Sequence, residues 1–317
     1  MSKFTLYKNA RLLDPASGLD LKGELLTEDN KILAFGKTVD APKNAVSIDC
    51  QGHCLCPGFI DMRVFIGIPG ADYKDTIANT GDAAAAGGVT TVCVQPNTDP
   101  IIDSIAHIEY LALRAKDALV NFIAMPAATK QLEGKEMTEI GLMSNAGYKT
   151  FTDCSSTIDN AAIMNRILKY AASFDALIIQ HLSEANLSKN GCMNAGALAT
   201  RMGLSGIPTA AETIILERDV RLLKSTNCRY HASQITCNDS IEVISRAKSD
   251  GLKITAGVAV PHLSLNEYAI EDYKTFTKLS PPLRSEEDRL SIIKALKEGI
   301  IDVIVSGHDP QDPESKR

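Results

Sequence analysis

The chain has 317 residues, is 44% hydrophobic and carries a formal charge of −6, with only 5% aromatic residues and no tryptophan. That is enough apolar chain for one large core or two smaller ones. The acidic balance and the lack of Lys/Arg blocks argue against nucleic acid or anionic membrane as a partner. No apolar run approaches the ~18 residues of a membrane span, and MSKFTLYKNARLLD has no signal-peptide apolar core.

Taken in chain order, the first fifty residues read as short strands: FTLYKNARLLD (4–14), GELLTEDNKILAFG (23–36) and AVSIDCQG (45–52), broken by Gly, Asp and Asn. They define an N-terminal β-rich segment, 1–56, expected to be part of a β-sandwich. Its CQGHCLC run (50–56) could in principle bind a metal with His53, but no second Cys/His pair follows at zinc-site spacing. Reduced thiols beside a strand are the plainer reading. Eight cysteines over this length form no dense disulfide framework, so a reducing, cytoplasmic setting is expected.

From residue 57 the texture changes. Short apolar runs, near-continuous as in a parallel sheet buried on both faces, fall at 58–65, 89–95, 121–125, 148–153, 176–181, 228–234, 252–257 and 301–307. Helical patterns lie between them, among them 75–88, 104–120, 209–226, 239–251 and 285–299. The last opens with Ser and acids and closes with Lys and Gly, which suits both helix ends. Eight strands alternating with helices over about 250 residues predict an α/β fold, a (β/α)8 barrel over 57–317. The sequence ends just after the eighth strand, so the expectation is a barrel whose C-terminal part, with its closing helix, is missing.

In such a barrel the chemistry sits at the C-terminal ends of the strands. Residues i and i+2 of a strand point the same way, so Arg63 and Phe65 of PGFIDMRVFIGIPG (57–70) should face the barrel mouth together. Neither ligates a metal at neutral pH: arginine stays protonated and has no acceptor, and phenylalanine has no donor atom.

Five blocks, PGFID (57–61), AAAAGGVTTV (83–92), QPNTDP (95–100), GIPTAAETIILERDV (206–220) and SPPLRSEEDR (280–289), together resemble the dihydroorotase branch of the amidohydrolase superfamily. The type concerned is associated with aspartate carbamoyltransferase, and the resemblance runs over essentially the whole length. It implies a zinc-dependent cyclic amide hydrolase of pyrimidine biosynthesis, with a strand-one His-x-His, a carboxylate-binding Arg, a bridging acid, further histidines and a catalytic Asp. This sequence departs from that pattern. The His-x-His is Arg63-Val64-Phe65, the carboxylate-binding Arg is Gly67, the strand-six His is Gln234 and the catalytic Asp is Gly307. Asp153 and His181 match ligand positions and are the residual metal candidates. Asn97 matches a substrate-contacting Asn. His262, in Pro261-His262-Leu263, keeps one of two family histidines, and Arg284 of PPLR could hold an anion. His231 and His308 read as hydrogen-bonding barrel residues.

A metal lowers its water's pKa from about 15.7 to about 7, some 12 kcal/mol at roughly 1.4 kcal/mol per unit. A general base alone gives ~10²–10⁴-fold, about 3–6 kcal/mol. The base cannot replace the metal, so the sequence points to a pseudoenzyme without a cofactor. On this reading Arg63 stands in for the missing cation and pairs with Asp153, while Phe65 fills the remaining space. The family then implies an oligomeric assembly partner of aspartate carbamoyltransferase. The alternatives are an active zinc enzyme (dihydroorotase, or a hydantoinase- or dihydropyrimidinase-like ring opener) and a module that binds a pyrimidine-like ligand without chemistry.

Overall fold

The computed structural model describes residues 3–312 and 314–316. The chain divides into two compact units, Met1–Phe59 and Ile60–Arg317.

In the first unit β1 (Phe4–Asp14), β2 (Leu19–Glu28), β3 (Lys31–Gly36) and β4 (Val46–Asp49) form a sheet in the order β3-β2-β1-β4, and β5 (Cys54–Leu55) also pairs with β1. β1 and β2 are antiparallel; β4 and β5 run parallel to β1. Alternation places Leu6, Ala10, Leu12 and Leu26 on the buried face. Gly23 is where β2 and the end of β3 approach: a Cβ there would lie 2.0 Å from the Gly36 carbonyl oxygen, so no other residue fits. Cys50, Cys54 and Cys56 are free thiols.

The second unit has one strand for each of the eight apolar runs: β6 (Phe59–Val64), β7 (Val89–Val94), β8 (Asn121–Ala124), β9 (Thr150–Thr152), β10 (Leu177–His181), β13 (Arg229–Ser233), β14 (Ile254–Ala259) and β15 (Val303–Val305). Two-residue strands β11 (Met193–Asn194) and β12 (Gly206–Ile207) pair in a loop outside this set. β6-β7-β8 form one hydrogen-bonded set and β9-β10-β13-β14-β15 the other. The Thr152 N–H donates to the Pro126 carbonyl at 3.1 Å, joining the two sets. The Phe65 N–H donates to the His308 carbonyl at 2.8 Å beside a parallel Val64–His308 bridge, which closes the last strand on the first. The result is an eight-stranded (β/α) barrel.

Helices α1 (Ile77–Ala86), α2 (Ile105–Arg114), α3 (Ile140–Asn145), α4 (Ala161–Ala172), α5 (Ala185–Ser188), α6 (Ala197–Met202), α7 (Ala210–Thr226), α8 (Asn238–Ser249), α9 (Val260–Ser264) and α10 (Glu286–Lys297) fill the connections. Their starts are set locally. Thr76 accepts from the Asn79 N–H, Asn160 from the Ala162 and Ile163 N–H groups, and Ser285 from the Asp288 N–H. α10 carries Glu286, Glu287 and Asp288 in its first turn and Lys294 and Lys297 in its last, matching the helix dipole at both ends. Phe151, Ile178, Tyr230, Ala256 and Val258 of the strands pack in one core cluster with Ile167, Leu216, Ile244 and Ile292 of the helices. The strands' C-terminal ends are thereby held at one end of the barrel. Among the described residues, no helix is long and apolar enough to cross a membrane.

Candidate active site

The barrel mouth holds a cavity of about 570 Å³. Arg63, Phe65, Asn97, Gln234, His262, Arg284 and Gly307 line it, as do Gln95, Cys154, Ser155, Lys278 and Ser280. Arg63 and Phe65 do share a face, as their spacing required. Phe65 is buried, with the Lys74 Nζ 5.8 Å from its ring centroid.

Arg63 differs from expectation in its partner. Its Nη2 donates to the Ser155 hydroxyl at 3.3 Å, and no carboxylate among the described residues pairs with it. Asp153 is satisfied elsewhere. Its Oδ1 accepts from the Ala128 and Thr129 N–H groups, both at 2.9 Å, and its Oδ2 accepts from the Thr129 hydroxyl. The direction of that last bond follows from the Gly134 N–H, which donates to the same hydroxyl oxygen at 2.9 Å and leaves the hydroxyl proton for Asp153. Burial pushes the Asp153 carboxyl above its usual range, while these three donors oppose the shift. The acid therefore meets a hydroxyl and two amides of the β8 connection, not the guanidinium.

His181, at the end of β10, is 2% exposed. Its Nε2 lies 3.4 Å from the Ser280 hydroxyl and its Nδ1 has no hydrogen-bond partner. Burial, then the positive Arg63, hold its pKa down at about 3, so the ring is neutral. Gln234 follows β13 in a left-handed conformation, φ 59, with its Oε1 buried and unpartnered. Cys154 follows β9 at φ 56. Such non-glycine conformations cost of order 1 kcal/mol each and gather at functional sites. Gly307, φ +68, would place a Cβ at ordinary contact distance, 3.4 Å from that of Ala259 and 3.5 Å from the Gln234 Nε2, so a side chain in the family's aspartate position has room but meets backbone strain.

Of the other expected residues, Asn97, His262, Arg284 and His308 line the same cavity and His231 does not. Arg284, 4% exposed, is not open to an incoming anion. It donates to the Thr236 hydroxyl (3.0 Å), the Asn194 Oδ1 (3.0 Å) and the Ile207 carbonyl (2.8 Å), with Glu212 at 3.6 Å. Glu212 is itself 1% exposed and a buried acid requires such company. His262 Nε2 meets the Pro281 carbonyl at 3.0 Å, and burial lowers its pKa. His231 Nδ1 meets the Thr255 hydroxyl at 2.8 Å, and His308 Nε2 meets Asp75 at 3.1 Å. The Asn97 Oδ1 is buried without a partner. Sequence reasoning missed Thr129, Ser155 and Glu212, since each acts on a residue far along the chain; only its position two residues after Asp153 placed Ser155 near the site.

A zinc site needs three or more N, O or S donors in one place. Here His181 offers one open ring nitrogen, Asp153 has both oxygens engaged by protein donors, and a guanidinium close enough to depress His181 shares the mouth. Among the described residues, no group of three or more His, Cys, Asp or Glu could hold a metal ion. The residues present do not fit the zinc that the fold family implies.

The family model described as Dihydro-orotase-like matches residues 52–240. The dihydroorotase of Anaplasma phagocytophilum is 39% identical over 316 residues, covering 98% of this chain and 70% of that protein. That of Caldanaerobacter subterraneus is 38% identical over 313 residues, covering 98% of this chain and 72% of that protein. The chain belongs to the dihydroorotase family. Among solved structures, the L-hydantoinase (dihydropyrimidinase) of Arthrobacter aurescens superposes with a TM-score of 0.85 at 22% identity, over 100% of this chain and 71% of that one. The dihydropyrimidinase of Brevibacillus agri gives 0.82 at 20% identity, over 98% and 69%. These two support the barrel and, at such identity, the fold alone. Family membership connects the chain to the cyclic amidohydrolases of pyrimidine biosynthesis.

Proposed function

We propose that this chain is a non-catalytic dihydroorotase-like protein that acts as a structural and assembly partner of aspartate carbamoyltransferase in pyrimidine biosynthesis. The observation that carries the reading is Arg63: a permanent cation stands in the barrel mouth beside His181, and Asp153 is occupied by Thr129 and Ala128. A second cation brought to that place would be repelled by the first. The loss of an aspartate at Gly307 removes the base as well, and the backbone there disfavours any side chain. With the chemistry gone and the barrel intact, what remains for selection to keep is a surface, and the family's association with the transferase suggests which. No metal, membrane or nucleic acid is required, and an oligomeric complex in the cytoplasm is expected.

Two measurements test it together. Co-expressed with the aspartate carbamoyltransferase of its own organism, the chain should co-elute with it, and dihydroorotate should not turn over. A chain that stays alone at micromolar concentration contradicts the partnership.

The second reading is an active, zinc-dependent cyclic amide hydrolase, a dihydroorotase or a hydantoinase-like ring opener. The open Nδ1 of buried His181 favours it, since a buried unpartnered imidazole nitrogen is a potential ligand. Zinc-dependent hydrolysis of dihydroorotate would establish it.

A further inference from the structure

The mouth is roomy and carries positive charge that no protein carboxylate among the described residues pairs. About 570 Å³ is room for a small molecule. Of the charged side chains lining it, Glu212 and Arg284 face each other, and His308 is joined to Asp75. Asp309 accepts from the Gln311 side-chain amide at 2.9 Å. Among the described residues that leaves Arg63, Lys278 and Lys316 against the carboxylate of Asp309. Arg63 has five N–H donors, of which one makes a side-chain hydrogen bond among the described residues, at 3.3 Å to a serine hydroxyl. A guanidinium in a half-enclosed site with its donors unspent is a fork shaped for an oxyanion. An independent observation bears on the rest of the occupant. Gln234, 5% exposed, and Gln95, 3% exposed, both line the cavity with an unpartnered Oε1, and an amide oxygen only accepts, so each calls for an N–H or O–H on the occupant. Buried polar groups of this kind are paired in almost all folded proteins, so two of them around one cavity indicate a polar occupant.

We propose that the barrel mouth is a small-oxyanion site in which Arg63 binds the carboxylate or phosphate group of its ligand, while the Gln234 Oε1 accepts from an O–H or N–H carried by the same ligand. The anion occupies the region where the family's other members would hold cations. The inference goes beyond the assembly role and does not depend on it.

The test is isothermal titration of the purified full-length chain with inorganic phosphate and, separately, with malonate, at constant ionic strength and in the presence of a chelator so that no bound metal can serve the anion. Saturable binding of one anion per chain is expected, weakened by about tenfold or more in Arg63→Met, because a charge-assisted fork is lost. Arg63→Lys should recover part of the affinity for phosphate, less for the planar dicarboxylate, whose two-pronged geometry an ammonium cannot match. Preference for one probe identifies which oxyanion the site takes. Gln234→Leu provides a second variant that leaves the cation in place, with affinity for hydrogen phosphate, whose O–H the Gln234 Oε1 can accept, expected to fall by about threefold or more and that for fully ionised malonate, which has no donor, to change little. Equal binding by wild type and Arg63→Met overturns the proposal, and so does the absence of saturation by either probe at about 10 mM, some hundredfold above the Kd of a typical metabolite site. Metal content of the same sample, read separately, keeps a failure of this site distinct from a failure of the non-catalytic reading.

Discussion

Thr129→Val is the substitution that most directly examines how Asp153 is held. Valine keeps the branched shape and removes the hydroxyl that donates to Oδ2; the two N–H groups on Oδ1, from Ala128 and Thr129, remain. Asp153 is 1% exposed, so water cannot take the hydroxyl's place. A hydrogen bond to a charged group contributes about 1.5–3 kcal/mol, and leaving its acceptor buried brings the cost toward the upper end. The Gly134 N–H also loses its acceptor but is half-buried, within reach of solvent. The expected destabilisation is about 2–3 kcal/mol at pH 7 by urea unfolding. Arg63→Met loses one long bond to Ser155 and relieves the repulsion felt by His181, so it should cost less than about 1 kcal/mol. A double-mutant cycle between Thr129→Val and Asp153→Asn should show a coupling of at least about 1 kcal/mol. The reverse ordering, with Arg63→Met costing about 3 kcal/mol or more and Thr129→Val almost nothing, would show that the guanidinium is the partner of Asp153 after all.

Three further expectations concern other parts of the barrel. Gly307→Asp, which restores the family's acid, should destabilise by about 1–2 kcal/mol because its φ of +68 is unfavourable for a side chain, and should not by itself produce turnover of dihydroorotate. Tyr230→Phe removes the buried 2.7 Å bond to Asp219 and should lower stability by about 1–3 kcal/mol, measured at pH 7 where the carboxylate, raised to about 6 by burial, is ionised. His231 is held at about 4, below 6.5, by burial first, with Asp302 opposing and Lys248 reinforcing. The unfolded state therefore binds the proton first, and the stability attached to a neutral His231 is complete above pH 6.5 and is lost as pH falls toward 4. The loss is about 3 kcal/mol over that window; His231→Gln should show a correspondingly shallower decline in urea midpoint between pH 7 and pH 4.5, and an identical pH profile would contradict the assignment.

The barrel was legible because its strands are buried on both faces and so appear as separate apolar runs between amphipathic segments. The one-strand periodicity that puts Arg63 and Phe65 on a common face is equally local, and it held. The partners of the polar groups were not legible. Asp153 and Thr129 are 24 residues apart and meet only because β8 and β9 end side by side. Arg284 read as able to hold an anion because nothing in PPLR shows that Glu212, on a helix before it in the chain, lies buried against it. The unit division, at Phe59 and Ile60, falls inside the first barrel strand, close to residue 57 where the texture of the sequence changes.

The most direct test of the central claim is the metal content of the protein after purification in the presence of zinc, by plasma mass spectrometry. The account predicts less than about 0.1 metal per chain, since Arg63 occupies the mouth and Asp153 is already satisfied. A stoichiometry near one or two, retained through dialysis and lost on His181→Ala, would contradict it and return the chain to the working hydrolases of its family.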